Sequence, residues 1–241
     1  MKNTFSILSW GAVSGGIECP EQWESWAREE RRLEAQLPTP QLGNLPRKVL
    51  RRLDRLGRCV MSVTERALSA LPEDAQPAVV STSRHGNLPF MFNLIKTIRA
   101  QEEISPTLFT YSVHNRFPSL VSMVSGFHGV SGAYSSPTDG FPLALAEAMT
   151  LFDQVPERPV LIISYEPEIP GDYLPLVEKP FSPHAAAFVV TSPQSTGKSF
   201  RLERLDRAAG SSHGSGFCLP FLKGMMTGRV VQDGYWRYVP C

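Results

Sequence analysis

The chain has 241 residues, 42% of them hydrophobic, 20% charged and 10% aromatic, which fits a globular protein of one large domain or two small ones and excludes wholesale disorder. Twenty-four lysines and arginines against 23 aspartates and glutamates leave a formal charge of +1. No net basic field is available for sequence-independent nucleic-acid binding, and no bulk electrostatic partner is implied.

Along the chain, Phe5 to Val13 (FSILSWGAV) is β-rich and runs into Ser14-Gly15-Gly16, so it predicts a first strand ending in a turn. Glu21 to Leu37, with Trp23 and Trp26 among many charges, predicts an exposed helix stopped by Pro38 and Pro40. Arg47 to Leu71 is the clearest periodic segment. Leu50, Leu53, Leu56, Val60, Val63, Ala67 and Leu71 recur every three or four residues, an amphipathic helix whose Arg51, Arg52, Arg55, Arg58 and Arg66 form a solvated outer face or, alternatively, a docking face for an acidic partner. Pro77 to Ser83 predicts a buried strand, Pro89 to Ala100 a helix, and Ser105 to Asn115 is too mixed to assign. After Pro118 a short helix gives way to a strand over Gly129 to Ser135. Phe141 to Phe152 is helical by composition, Pro159 to Tyr165 is a β run between prolines, and Ala185 to Ser192 and Phe200 to Leu205 suit strands. Strands separated by helices indicate a layered α/β domain. Beyond Ala208 the glycine- and aromatic-rich sequence supports no assignment.

Most familiar chemistry finds no foothold. The four cysteines (Cys19, Cys59, Cys218, Cys241) form no CxxC pair and no histidine stands at ligand spacing, so no metal is expected. GxSxG, GxGxxG and GK[ST] are absent, which leaves no nucleophile elbow, no dinucleotide turn and no cofactor, and makes Gly210 to Gly216 a flexible loop. The stretch before Ser14 is too short and polar for a signal peptide, and nowhere do 18 apolar residues run together. No membrane or nucleic-acid partner is expected, and free thiols suit a reducing cytoplasm.

Ser105 to Ala148 carries the strongest signal. It resembles the nucleophile region of β-ketoacyl synthases, the condensing enzymes of the thiolase fold: Ser105-Pro106, Asn115, Gly126, Gly129 and Glu147-Ala148 match that pattern without a gap. Leu53-Asp54-Arg55, Val79 to Ser83, Val160 to Glu166, Lys179-Pro180-Phe181 and Ala185 to Thr191 extend the resemblance over roughly residues 5 to 192. It implies half of the thiolase duplication, an α/β fold with a mixed five-stranded sheet covered by helices. Residues 1–207 would form the synthase N-terminal-like domain, and 208–241 an extension packing on the core or on a partner.

In that register Thr138 stands where the cysteine nucleophile belongs. A cysteine at a helix N-terminus attacks as a thiolate acidified by the helix, whereas a threonine hydroxyl needs an adjacent base. None of His85, His114, His128, His184 and His213 falls at a catalytic position, and the family's second half, with its two histidines, is missing from the sequence. No catalysis by this chain alone is expected. The pattern resembles the truncated chain-length factors of aryl polyene and type II polyketide pathways. The resemblance implies a full-length ketosynthase as partner, acyl carrier protein reached through the complex, and pairing along the strand Gly129, Val130, Ser131, Gly132, Ala133, Tyr134 and Ser135. It further implies an acyl-tunnel role for Leu108, with Phe109, Tyr111 and Met123 as neighbours. Two rivals stand beside this reading: an acyl-transfer or thioester-hydrolysing enzyme using Thr138, Ser135 or Ser136, and a scaffold that only stabilises the synthase.

Overall fold

A computed structural model describes residues 3–43, 45–177, 182–193, 197–206 and 218–241. The chain forms strands β1 (Thr4–Ser14), β2 (Ala78–Thr82), β3 (Ser131–Tyr134), β4 (Val160–Glu166), β5 (His184–Thr191), β6 (Lys198–Arg204), β7 (Val231–Asp233) and β8 (Trp236–Pro240). Between them lie helices α1 (Pro20–Ala27), α2 (Arg47–Leu50), α3 (Arg55–Leu68), α4 (Leu88–Arg99), α5 (Pro106–Ser112), α6 (Arg116–Ser125), α7 (Gly140–Gln154) and α8 (Leu219–Thr227).

One sheet holds all eight strands in the order β3-β2-β4-β5-β1-β6-β8-β7. Strands β2, β3 and β4 run parallel, while β5 is antiparallel to both β4 and β1. The six strands read from the sequence are its first six in that order, one more than the five that the resemblance implied. The sheet is nevertheless eight-stranded rather than five-stranded, because β6 bonds to the free side of β1 and the C-terminal hairpin β7-β8 adds to β6.

Every residue of β4 and β5 is buried, which requires both faces of the sheet to be covered. Period-2 alternation sorts their side chains. Leu161, Ile163, Ala185, Ala187 and Val189 face α3 and α6, with Val60, Val63, Phe117 and Val121. Ile162, Ala186, Phe188 and Val190 face α7 and α8, with Phe141, Leu145, Ala148 and Phe221. Helix α3 lies close to the sheet because Gly11 offers no side chain: a Cβ there would sit 2.8 Å from the Val63 carbonyl oxygen.

Three elements differ from the sequence expectation. The helix foreseen over Glu21 to Leu37 ends at Ala27, since Glu29 takes a positive φ of 67° and Glu34 bridges back to Gly15. The long helix over Arg47 to Leu71 is two helices: Asp54 accepts from Gly57 N at 3.0 Å and starts α3 afresh. The mixed segment after Ser105 is helical, with Ser105 as N-cap and Pro106 in the first turn, where a missing N–H costs nothing.

Candidate functional site

Thr138 lies at the C-terminal end of the parallel strands, two residues before α7 begins. Its hydroxyl donates to Asp139 Oδ2 at 2.9 Å. The other oxygen of that carboxylate accepts from Trp236 Nε1 at 2.8 Å, so the C-terminal strand β8 holds the turn from outside. Ser136 Oγ accepts from Asp139 N at 3.1 Å and from Thr138 N at 3.4 Å, spending its lone pairs on the backbone. Ser135 is exposed and donates to the Arg84 carbonyl at 3.4 Å. Among the described residues no histidine hydrogen-bonds Thr138. A carboxylate is a much weaker base than an imidazole, so Asp139 can activate the Thr138 hydroxyl only weakly. His213 lies outside the described residues, as does Lys179-Pro180-Phe181.

Two of the described histidines, His85 and His184, sit at the end of β4. His85 Nδ1 donates to Glu166 Oε2 at 2.7 Å, and Glu166, at the end of β4, also accepts from the backbone N–H groups of Arg84 and His85. That buried carboxylate ties the loop after β2 to the end of β4. His184 faces it across the β4–β5 pair, and burial holds its imidazole below the usual pKa against the pull of the Ser182 carbonyl and of Glu166. Burial likewise pushes the thiols of Cys59 and Cys218 up to about 12, which makes both inert.

Two expected partner-facing features have definite places. Gly129 and Val130 lead exposed into β3, Ser131 to Tyr134 form it, and Ser135 follows it. Strand β3 is the edge of the sheet: it pairs with β2 on one side, and no described strand lies on the other. Phe109, Tyr111 and Met123 line one groove of about 760 Å³ between α2, α5 and α6. Leu108 sits half-buried on α5 outside that groove. Its rim brings in Lys48 and Arg52, and its floor Arg116, residues that no motif singles out. Asp139 and Trp236 at the turn were also invisible in the sequence, the second because nothing local signals a contact over 97 positions.

A family model described as "Beta-ketoacyl synthase, N-terminal domain" matches residues 23–216. The match covers most of the chain, so the chain belongs to that family. No curated protein sequence matches it. Among solved structures, a chain in the complex of the ketosynthase ApeO with its chain length factor ApeC from Xenorhabdus doucetiae is 29% identical, with a TM-score of 0.78 over 98% of each chain. The type II polyketide ketosynthase and acyl-carrier-protein complex AntDE:AntF is 15% identical, with a TM-score of 0.66 over 87% of this chain and 70% of that one. The ishigamide ketosynthase/chain length factor is 14% identical, with a TM-score of 0.64 over 83% of this chain and 67% of that one. These two speak for the fold. Among the described residues no helix is long and apolar enough to cross a membrane.

Proposed function

We propose that this chain is a non-catalytic, ketosynthase-like chain-length factor. It pairs with a full-length β-ketoacyl-acyl-carrier-protein synthase and shapes that enzyme's acyl tunnel in fatty-acid or polyketide-type synthesis of the aryl polyene kind. The observation that carries this reading is likeness over 98% of both chains to a component of a ketosynthase–chain length factor complex. The open side of β3 supports pairing, because an uncovered strand edge presents a row of unspent backbone donors and acceptors. Met91, Ile95, Phe109, Met123 and Val130 are exposed apolar side chains, Val130 directly before β3, and an exposed apolar surface of this kind suits a partner. Acyl carrier protein reaches this chain through the complex, and the four free cysteines support a place in the cytoplasm.

The tunnel role separates this reading from a scaffold. A bulky side chain closing a packed wall resists each extra methylene by about 1–3 kcal/mol, enough to end elongation. The complex carrying Leu108→Ala is therefore expected to release a longer product than the wild-type complex, read by mass spectrometry of the acyl chains. An unchanged product with an intact complex contradicts the tunnel role.

A further inference from the structure

A separate cavity of about 520 Å³ lies at the opposite end of the parallel strands from Thr138, beside the residues that lead into β2 and β3. The second half of α3, the end of α6 and the segment before β2 line it, and it shares no residue with the groove that holds Phe109, Tyr111 and Met123. Met61, Leu68, Val124 and Phe127, all buried or half-buried, make its walls apolar. Thr64 also lines it and is only 1% exposed, yet its Oγ1 has no hydrogen-bond partner among the described residues. A helical threonine commonly donates to the carbonyl four residues back, as Thr150 does to Ala146 at 3.1 Å and Thr227 to Lys223 at 2.8 Å. Thr64 leaves that bond unmade, a costly state for a buried hydroxyl unless an outside group meets it. The charged side chains of the cavity are all of one sign. Glu65 and Glu73 stand exposed on its lining, and no lysine, arginine or histidine among the described residues joins them. Two carboxylates and no cation give the cavity a formal charge of −2, and Asp74 beside Glu73 adds to the negative field.

We propose that this cavity binds a small primary amine with an apolar body: the ammonium is held by Glu65, Glu73 and Thr64 Oγ1, and the body lies against Met61, Leu68, Val124 and Phe127. An ammonium carries three N–H donors and no acceptor, which matches a lining that offers two carboxylates and one unspent hydroxyl oxygen. A carboxylate or phosphate ligand is repelled by the same groups, and a neutral apolar molecule leaves them without a counter-charge. The volume is that of a small-molecule site. Every residue of the site belongs to this chain, so the proposal stands whether or not the chain pairs with a synthase.

The test uses the full chain with 13C-methyl-labelled methionines, the Met61 signal being assigned by its loss in Met61→Leu. The chain is titrated at pH 7 with octylamine, octanol or octanoate below micellar concentrations. A saturable Met61 shift is expected for octylamine, with a Kd at least ten-fold lower than for octanol or octanoate. The Glu65→Gln/Glu73→Gln double variant is expected to raise the octylamine Kd at least five-fold. Glu73→Gln alone, which alters one exposed side chain, is expected to raise it at least two-fold and carries the conclusion if the double variant lowers Tm. Thr64→Val keeps the shape and removes the hydroxyl; it is expected to raise the Kd at least three-fold at a Tm equal to or above that of the wild type. Absence of saturation with octylamine, equal affinity for octanol or octanoate, or a Kd unmoved by either the glutamine variants or Thr64→Val overturns the proposal. Co-purification with the synthase is scored separately, so loss of pairing and loss of amine binding are told apart.

Discussion

Phe221, in α8, is fully buried at the meeting point of five other rings: Phe200 at 5.1 Å, Phe141 and Tyr238 at 5.3 Å, Phe188 at 5.6 Å and Phe5 at 6.0 Å. Those partners come from β1, β5, β6, α7 and β8, so one side chain from the C-terminal segment closes the core between the sheet and α7. Phe221→Ala removes a ring from close packing that α8 and five strand and helix neighbours cannot collapse to fill. The cost is about 3–5 kcal/mol, toward the upper end because every neighbour is itself a large ring. Against a total stability on the order of 5–15 kcal/mol, that is a large fraction. For a chain of this size it corresponds to a fall in Tm of roughly 10 °C or more. Urea unfolding followed by tryptophan fluorescence measures it, with Phe109→Ala as the control, since Phe109 is 56% exposed and is expected to change stability little. If Phe221→Ala lies within about 1 kcal/mol of the wild type, the last 24 residues are not part of the cooperative core and the account of their role is wrong.

The pH dependence follows from His184. Its folded-state pKa lies below the unfolded imidazole value of about 6.5, so the unfolded chain binds the extra proton first and stability falls as pH drops through about 6.5 toward the lowered folded value. The urea midpoint is expected to decrease between pH 7.5 and 5.5, and His184→Asn to flatten that slope; an equal slope in the variant refutes the assignment. The thiols are expected to divide by burial. Cys241 is exposed and reacts first with a thiol reagent at pH 8, whereas Cys59 and Cys218, buried and raised to about 12, react only on unfolding. Mass mapping of the labelled peptides checks the order.

How much the sequence disclosed depended on whether the signal was local. The continuous apolar runs that bury β4 and β5 and the apolar stripe of α3 are short-range patterns, and both sit where the sequence puts them. The break between α2 and α3 was readable in principle, because Asp54 is an N-cap residue three positions before Gly57; the leucine period running through it hid the stop. The continuous register from Ser105 to Ala148 carried Thr138 to the foot of α7 with no need of tertiary information. What escaped was non-local. β6 pairing with β1, β8 pairing with β6, and Trp236 holding Asp139 join positions tens to hundreds of residues apart, and a glycine- and aromatic-rich tail has no period to announce them. The groove around Arg116 escaped in part for the same reason: Phe109, Tyr111 and Met123 were expected together, but Lys48 and Arg116 are unremarkable until α2 and α6 bring them to the same groove.

The most direct measurement is co-expression of the tagged chain with its full-length synthase, followed by purification on the tag and an assay of condensation on acyl carrier protein. The account predicts that the two proteins elute together, that this chain alone condenses nothing, and that Thr138→Ala leaves the activity of the pair unchanged. Separate monomers with full activity in the synthase alone, or condensation abolished by Thr138→Ala in a pair that still assembles, would contradict it.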